Sequence, residues 1–411
     1  NGDSFPHKVR SKMNEIFDAW GEIAYTSLGF FWKSLWAFIL GYGVSGAIQA
    51  FVPKKNLTRI MGGKGFQSVG LSTFFGAISS SCSFAALATA RSLFSKGASF
   101  VATVAFMFAS TNLVIELGIL IFIFLGPQYV WAEIIGGLVL ILISSLLIRL
   151  FHPHSLIQRA REHVKKMEGE EEDFDWRSRI SSIKGWQMAG MKFVHEWKMA
   201  WEDITIGFTI AGLVSVLVPD QVWEWIFLQG VADPESFLVR LENALVAPFV
   251  AAMTFIGSMG NIPLATVLAG SGVAFAGVLG FIYSDLMVPP LVNMNRKYYG
   301  TKVAFFIAGI MYVSIVLTAL IMNYSFEWLD IVPEHIRKIE EVTRVKIDYT
   351  FWMNLSFLLV SAVLVWGHRL YLKRIDSMPD MDMGGDSKVK RWIVYSFLTF
   401  IVIGLILHLI R

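Results

Sequence analysis

The chain has 411 residues, of which 55% are hydrophobic and only 16% charged, with a mean hydropathy of +0.56. That balance excludes an ordinary soluble enzyme and points to a polytopic membrane protein. The formal net charge is only +3, so its placement says more than its sum. The single cysteine, Cys82, excludes both a disulfide framework and a cage of several thiolates within one chain.

Asn1 to Lys12 is polar and lacks the apolar core of a cleavable signal peptide. From Met13 to Phe31, apolar Met13, Ile16, Phe17, Trp20, Ile23 and Ala24 recur at helical spacing, with Glu15, Asp18 and Glu22 between them. That pattern predicts an amphipathic helix lying on the membrane surface. Trp32 to Val52 is the first span, closed by Pro53 and followed by Lys54, Lys55, Arg59 and Lys64.

The stretch from Phe66 to Phe94 then organises the first half. Two apolar arms flank the polar knot Ser79-Ser80-Ser81-Cys82-Ser83. Each arm is shorter than the roughly 20 helical residues a bilayer requires, so the pair predicts a re-entrant hairpin. A polar break at membrane depth is tolerated only inside protein or beside a water-filled cavity. Ala98 to Phe124 and Tyr129 to Leu150 follow as spans, with a Gly126-Pro127 turn between them.

Residues 151–200 carry mixed charge, including Glu168-Gly169-Glu170-Glu171-Glu172-Asp173, and read as a solvated cytoplasmic linker. Beyond it the pattern repeats. Ile204 to Val218 is a span closed by Pro219, and Phe237 to Gly270 is a second hairpin, broken around Gly257-Ser258-Met259-Gly260-Asn261-Ile262-Pro263. Val273 to Val292 and Val303 to Asn323 are spans, and Phe351–Tyr371 and Trp392–Ile410 are two more. The repeat shows in matched punctuation: Gly41, Gly46 and Pro53 against Gly207, Gly212 and Pro219, and Leu87-Ala88-Thr89 against Leu264-Ala265-Thr266.

The expected fold is therefore all-α and polytopic, with about eight spans. It divides into an amphipathic segment 1–31, a first repeat 32–150, the linker 151–200, a second repeat 201–323, an extracytoplasmic loop 324–350 and a two-span segment 351–411. Each repeat has three crossings and a hairpin. An odd number of crossings inverts the second repeat relative to the first, a pattern of secondary transporters. Basic loops around Lys54, Arg296 and Lys388 fall on the linker side, as the positive-inside rule asks, and Lys8, Arg10 and Lys12 run against it.

Inverted hairpins would bring their breaks together near the bilayer centre. Ser81 or Ser83 reads as the N-cap of one second arm. Asn261 reads as the N-cap of the other, with Pro263 in its first turn. Two helix N-termini aimed at one spot suit an anion or the oxygens of a polar solute. Substrate-binding residues are thus expected among Ser79, Ser80, Ser81, Cys82, Ser83, Ser258 and Asn261.

Two acids, Glu116 and Asp285, lie inside apolar spans, with Asn112 one turn before the first and Asn293 two turns beyond the second. Acids at such depth line substrate or proton paths. Asn112, Glu116, Asp285 and Asn293 read either as a proton-carrying set or as oxygen ligands of a cation. Pairing of an acid with Arg91 is the structural alternative. Cys82 would be a soft ligand, so Cys82, Glu116 and Asp285 are the metal-binding set. His152, His154 and His163 read as surface residues of the linker.

The runs S-S-S-C-S-F-A-A-L-A-T-A-R-S-L-F-S-K-G-A-S-F at 79–100, F-A-S-T-N at 108–112, G-N-I-P-L-A at 260–265 and F-I-Y-S-D-L-M-V-P-P at 281–290 resemble the predicted-permease family. That family includes the arsenic-resistance (ArsP-type) organoarsenical exporters. The resemblance covers roughly residues 30–323 and implies an inner-membrane permease, with Cys82 at a position where characterised members use cysteine. Here the family's Cys-Ser-Cys run is Ser80-Ser81-Cys82-Ser83-Phe84, with one thiol.

The sequence thus reads as a gradient-driven transporter of a small metalloid, metal or oxyanion, since no Walker-type loop is present, and the resemblance implies export. A proton- or cation-coupled carrier of a small organic anion, and a channel, are the alternatives. A hydrolase would need a base beside its nucleophile, and His368 and His408 lie near span ends. No cofactor and no nucleic acid is expected. The partners are a small solute or ion and the lipid bilayer, and a homo-oligomer is left open.

Overall fold

The computed structural model describes residues 4–51, 65–79, 83–151, 154–165, 179–228, 236–254, 257–333, 339, 343–373 and 388–410. In chain order the helices are α1 (Ser4–Phe51), α2 (Phe66–Ser79), α3 (Ser83–Ser95), α4 (Phe100–Asn112), α5 (Ile115–Phe124), α6 (Pro127–Phe151), α7 (His154–Lys165) and α8 (Ile183–Leu217). They continue as α9 (Asp220–Ile226), α10 (Phe237–Thr254), α11 (Ser258–Gly270), α12 (Phe275–Ile282), α13 (Pro289–Tyr299), α14 (Thr301–Trp328), α15 (Tyr349–Leu372) and α16 (Lys388–Ile410). A 3-10 turn, Asp285–Met287, separates α12 from α13. Among the described residues there is no strand. Seven helices are long and apolar enough to cross a membrane, and up to eight when the bent pair α4–α5 counts as one span.

The predicted surface helix of 13–31 is not a separate element. It is the first half of α1, which runs unbroken into the first span. Its acids do face outward, but Ile23, Ala24, Ser27 and Phe30 are buried against protein. Trp20 stacks on Phe400 of α16, and its indole N–H donates to the Phe400 carbonyl at 2.9 Å. The periodicity was that of an amphipathic helix, and a protein partner satisfies it as well as lipid does. The same holds for the end of the linker. Residues 183–200 form the first half of α8, with Gln187, Phe193 and Glu196 buried.

α1 and α8 lie against each other and run antiparallel. A Cβ on Gly46 would sit 2.9 Å from the Ala189 carbonyl and 2.9 Å from the Phe193 amide. A Cβ on Gly212 would meet the Ile23 carbonyl at 3.0 Å and the Ser27 hydroxyl. Shifting 46, 23 and 27 by 166 gives 212, 189 and 193, so the two contacts are the same contact made twice. The glycine spacing seen in sequence is thus the close approach of these helices.

A second shift governs the next segments. The starts of α3 and α4, at 83 and 100, become 258 and 275 on adding 175. The ends of α2 and α3, at 79 and 95, become 254 and 270. The turns correspond bond for bond. Ala98 N–H donates to the Leu93 carbonyl (3.0 Å) and Gly97 N–H to that of Phe94 (3.2 Å). Val273 donates to Leu268 (3.1 Å) and Gly272 to Ala269 (3.1 Å). Each is a Schellman turn closed by a positive-φ glycine, Gly97 at +111° and Gly272 at +84°. This register pairs Ser83 with Ser258 and leaves the Leu-Ala-Thr matches two residues out of step.

Two other expectations need correcting. The spans 98–124 and 273–292 are each interrupted. α4 and α5 meet at an angle of 41° around extended Val114, and α13 starts after extended Val288. α10, expected as a hairpin arm, is 18 residues long, enough by length and composition to cross a membrane.

Candidate functional site

The first short pair folds back beside α4. A Cβ on Gly76 of α2 would lie 2.6 Å from the Phe106 carbonyl, so α2 climbs beside α4. α3 descends to the turn at 96–99, where the Phe94 and Phe100 rings pack 5.8 Å apart. The end of α2 therefore lies level with the end of α4. Arg161 of α7 fixes the far turn by donating to the Phe94 carbonyl (3.2 Å) and the Ala98 carbonyl (2.9 Å).

The second pair closes onto the first repeat's α1. Tyr42 donates its hydroxyl to the Met259 sulfur at 3.4 Å, and a Cβ on Gly207 would lie 2.7 Å from the Gly260 carbonyl. A cavity of about 40 Å³ opens between the start of α3 and the start of α11. Its walls include Ser83 from α3, Gly257 to Gly260 from α11, Tyr42 from α1, and Ala200 and Asp203 from α8. Asp203 is held by Lys390 of α16 at 2.8 Å.

Behind Ser83 lies a polar layer sealed from solvent. Ser83 donates to Asp285 Oδ2 at 3.3 Å, and Thr111 of α4 approaches the same carboxylate. Asp285 is fully buried, and its Oδ1 has no hydrogen-bond partner. Across from it stands Glu133 of α6, 1% exposed, with neither carboxylate oxygen hydrogen-bonded. Tyr283 neighbours Glu133 and donates to the Ala132 carbonyl at 2.7 Å. Asn112 is buried with Oδ1 unpartnered, its amide N–H donating to the Phe108 carbonyl at 3.1 Å.

Residues 19–324 match the family described as predicted permease, more than half of the chain. The chain belongs to the predicted-permease family. It is also 36% identical over 327 residues to "Putative permease Rv2963" of Mycobacterium tuberculosis, covering 76% of this chain and 79% of that one. No solved structure matches it. The permease is a multi-pass membrane protein, and its family points to transport rather than catalysis.

In this permease the expected site residues separate into groups. Ser83 and Ser258 share the cavity wall. Ser79 ends α2, while Ser80, Ser81 and Cys82 lie outside the described residues. Asn261 is buried, but it is not an N-cap. α11 begins at Ser258, so Asn261 stands a turn inside the helix and accepts from Thr254 at 3.1 Å. Pro263 likewise sits within α11, past its first turn. Glu116 is buried in the first turn of α5 against Gly41 of α1.

Asn293 is exposed, and Asn295 is the buried asparagine of α13. The sequence estimate carried one helical phase from Asp285 to Asn293, and the 3-10 turn with extended Val288 resets that phase. Among the described residues Arg91 pairs with no acid, and its guanidinium lies 4.6 Å from the Tyr298 ring centroid. His163 contacts the Lys297 carbonyl at 3.1 Å. Among the described residues no three His, Cys, Asp or Glu side chains gather as a metal site.

Glu133 is the residue sequence reasoning missed. It sits seven residues into α6, where an acid passes for one reaching the interface. The signal was available: it is an acid in an otherwise apolar span, followed by Gly136 and Gly137, which bring Tyr283 and Leu113 close.

Proposed function

We propose that this permease is a gradient-driven secondary transporter, exporting a small metalloid, metal or oxyanion solute across an inner membrane between the helix pairs α2–α3 and α10–α11. One observation carries the reading. Ser83 and Ser258, the first residues of two helices in equivalent positions, line a single cavity. The antiparallel α1–α8 pair and the duplicated Schellman turns support an inverted duplication, in which such sites form at the repeat interface.

The chemistry of the wall fits a polar or anionic solute. The free N–H groups of two helix starts and two hydroxyls supply donors without a fixed positive charge. Solute binding would extend over Ser79, Ser80, Ser81 and Cys82 at the first tip, with Asn261 bracing the second. Asn112, Glu116 and Asp285 form the ionisable and amide layer behind. With residues 151–200 cytoplasmic, the Asp203 side of the cavity is the route by which solute arrives or leaves.

Purified protein in liposomes with an imposed pH gradient tests this, with uptake of arsenite, phosphate and Zn²⁺ followed in parallel. Saturable flux of one probe is expected, reduced at least about tenfold in S83A/S258A, equivalent to about 1.4 kcal/mol. Flux of all three that never saturates, or a double variant as active as wild type, would overturn the reading.

A further inference from the structure

The layer behind Ser83 contains more acid than the transport reading uses. Glu133 and Asp285 are both buried, they are electrostatic neighbours, and three of their four carboxylate oxygens lack a hydrogen bond. Among the described residues, the surrounding elements bring no positive charge to them. α4 presents Ser110, Thr111 and Asn112, and the α12 end presents Tyr283. α5 carries Glu116, set against Gly41. α14 has no ionisable side chain between Tyr312 and Tyr324, α11 has none at all, and α10 has none beyond Glu242. On α3, Arg91 is two turns from Ser83 and engaged with Tyr298. On α13 the cations Arg296 and Lys297 are exposed in the last turn.

Two buried carboxylates that feel each other's charge, with no cation among the described groups that face them, cannot both be ionised, since like charges in a desolvated site exclude each other. We infer that Glu133 and Asp285 form the coupling-ion site of the transporter and hold one exchangeable proton between them. This rests on the transport reading for its role, though not for its existence. The link to the solute is the Ser83 hydroxyl. While Asp285 is ionised, Ser83 donates to it; once the proton moves onto Asp285, that acceptor is weakened and the hydroxyl is free to turn into the cavity. The proton and the solute would thus compete for, or share, one hydroxyl. A pair of carboxyls titrates as a unit, so the observable belongs to both residues.

Infrared difference spectroscopy of the purified protein across a pH titration reads the site without any substrate. A protonated-carboxyl band that titrates in wild type is expected. It should move to a different pH in E133Q, in D285N and in S83A, because each change alters what the remaining carboxyl faces, and be unchanged in E327Q at the exposed Arg240 pair. E133D, which keeps the second charge, should titrate as wild type does if E133Q proves poorly folded. A band that titrates in both E133Q and D285N at the wild-type pH would overturn the proposal. So would its abolition by Na⁺ at constant pH, which would make the pair a cation site. An intact titrating band in protein that moves none of the three transport probes would count against the transport reading alone.

Discussion

Lys33 and Asp348 show how a single pair can hold distant segments. Lys33 of α1 donates to Asp348, and the same carboxylate caps α15 by accepting from the Thr350 N–H at 2.9 Å. Burial works against the charge on Asp348. The Lys33 ammonium and the Thr350 and Phe351 amides outweigh it, holding the carboxyl below the ordinary 3.8. The group is depressed on folding, so its contribution is present above pH 3.8 and is lost as pH falls through the lower folded value. Thermal unfolding in detergent should therefore show no D348N-dependent change in pH sensitivity between pH 5 and 8, and a convergence of variant and wild type in stronger acid. D348A should cost about 1 kcal/mol more than D348N, because asparagine still caps the helix. Equal losses would contradict the cap.

The residues also show where sequence reading stops. Ser83 and Asp285 were legible, because a serine run between short apolar arms and an acid in a span have few bland explanations. Glu133 and Asn295 were not. The first drew no reading from the sequence, and the second was hidden by a helical phase that a 3-10 turn interrupts. Burial of a side chain on a broken helix depends on the break, and one residue of error there exchanges inside for outside.

Among the elements, glycine does the positioning. Gly46 and Gly212 let the backbones of α1 and α8 approach each other closely. Leucine at either position should force the helices apart, costing about 1–3 kcal/mol. Because the two contacts are equivalent, G46L and G212L should lower the thermal midpoint by similar amounts, measured in the same detergent. A loss at one position only would contradict the duplicated contact. Gly97 and Gly272 close identical turns with positive φ, so G97A and G272A should each cost about 1 kcal/mol and combine additively. These glycines made the repeat visible, since punctuation survives where apolar residues interchange. What punctuation could not give was the continuity of α1 and α8. Charge in residues 13–31 and 183–200 looked solvated, and only packing against α16 and α8, or against α1, distinguishes a buried amphipathic face from a surface-lying one.

At the scale of the whole molecule, the membrane class and the two-part organisation followed from composition and repeated pattern, because hydrocarbon imposes strict length and backbone rules. The meeting of the two tips did not follow, and rested on the assumption that the repeats invert. α1 and α8 run antiparallel, and Ser83 and Ser258 line one cavity. In a C82S background the chain has no other thiol. Introducing S83C and S258C together, and treating the protein in membranes with a short bifunctional thiol reagent, tests directly whether the tips face each other. The account predicts an intramolecular cross-link in the double variant and none in either single variant, read by the mass of the intact chain. Two thiols that each take a separate reagent, with no link between them, would contradict it.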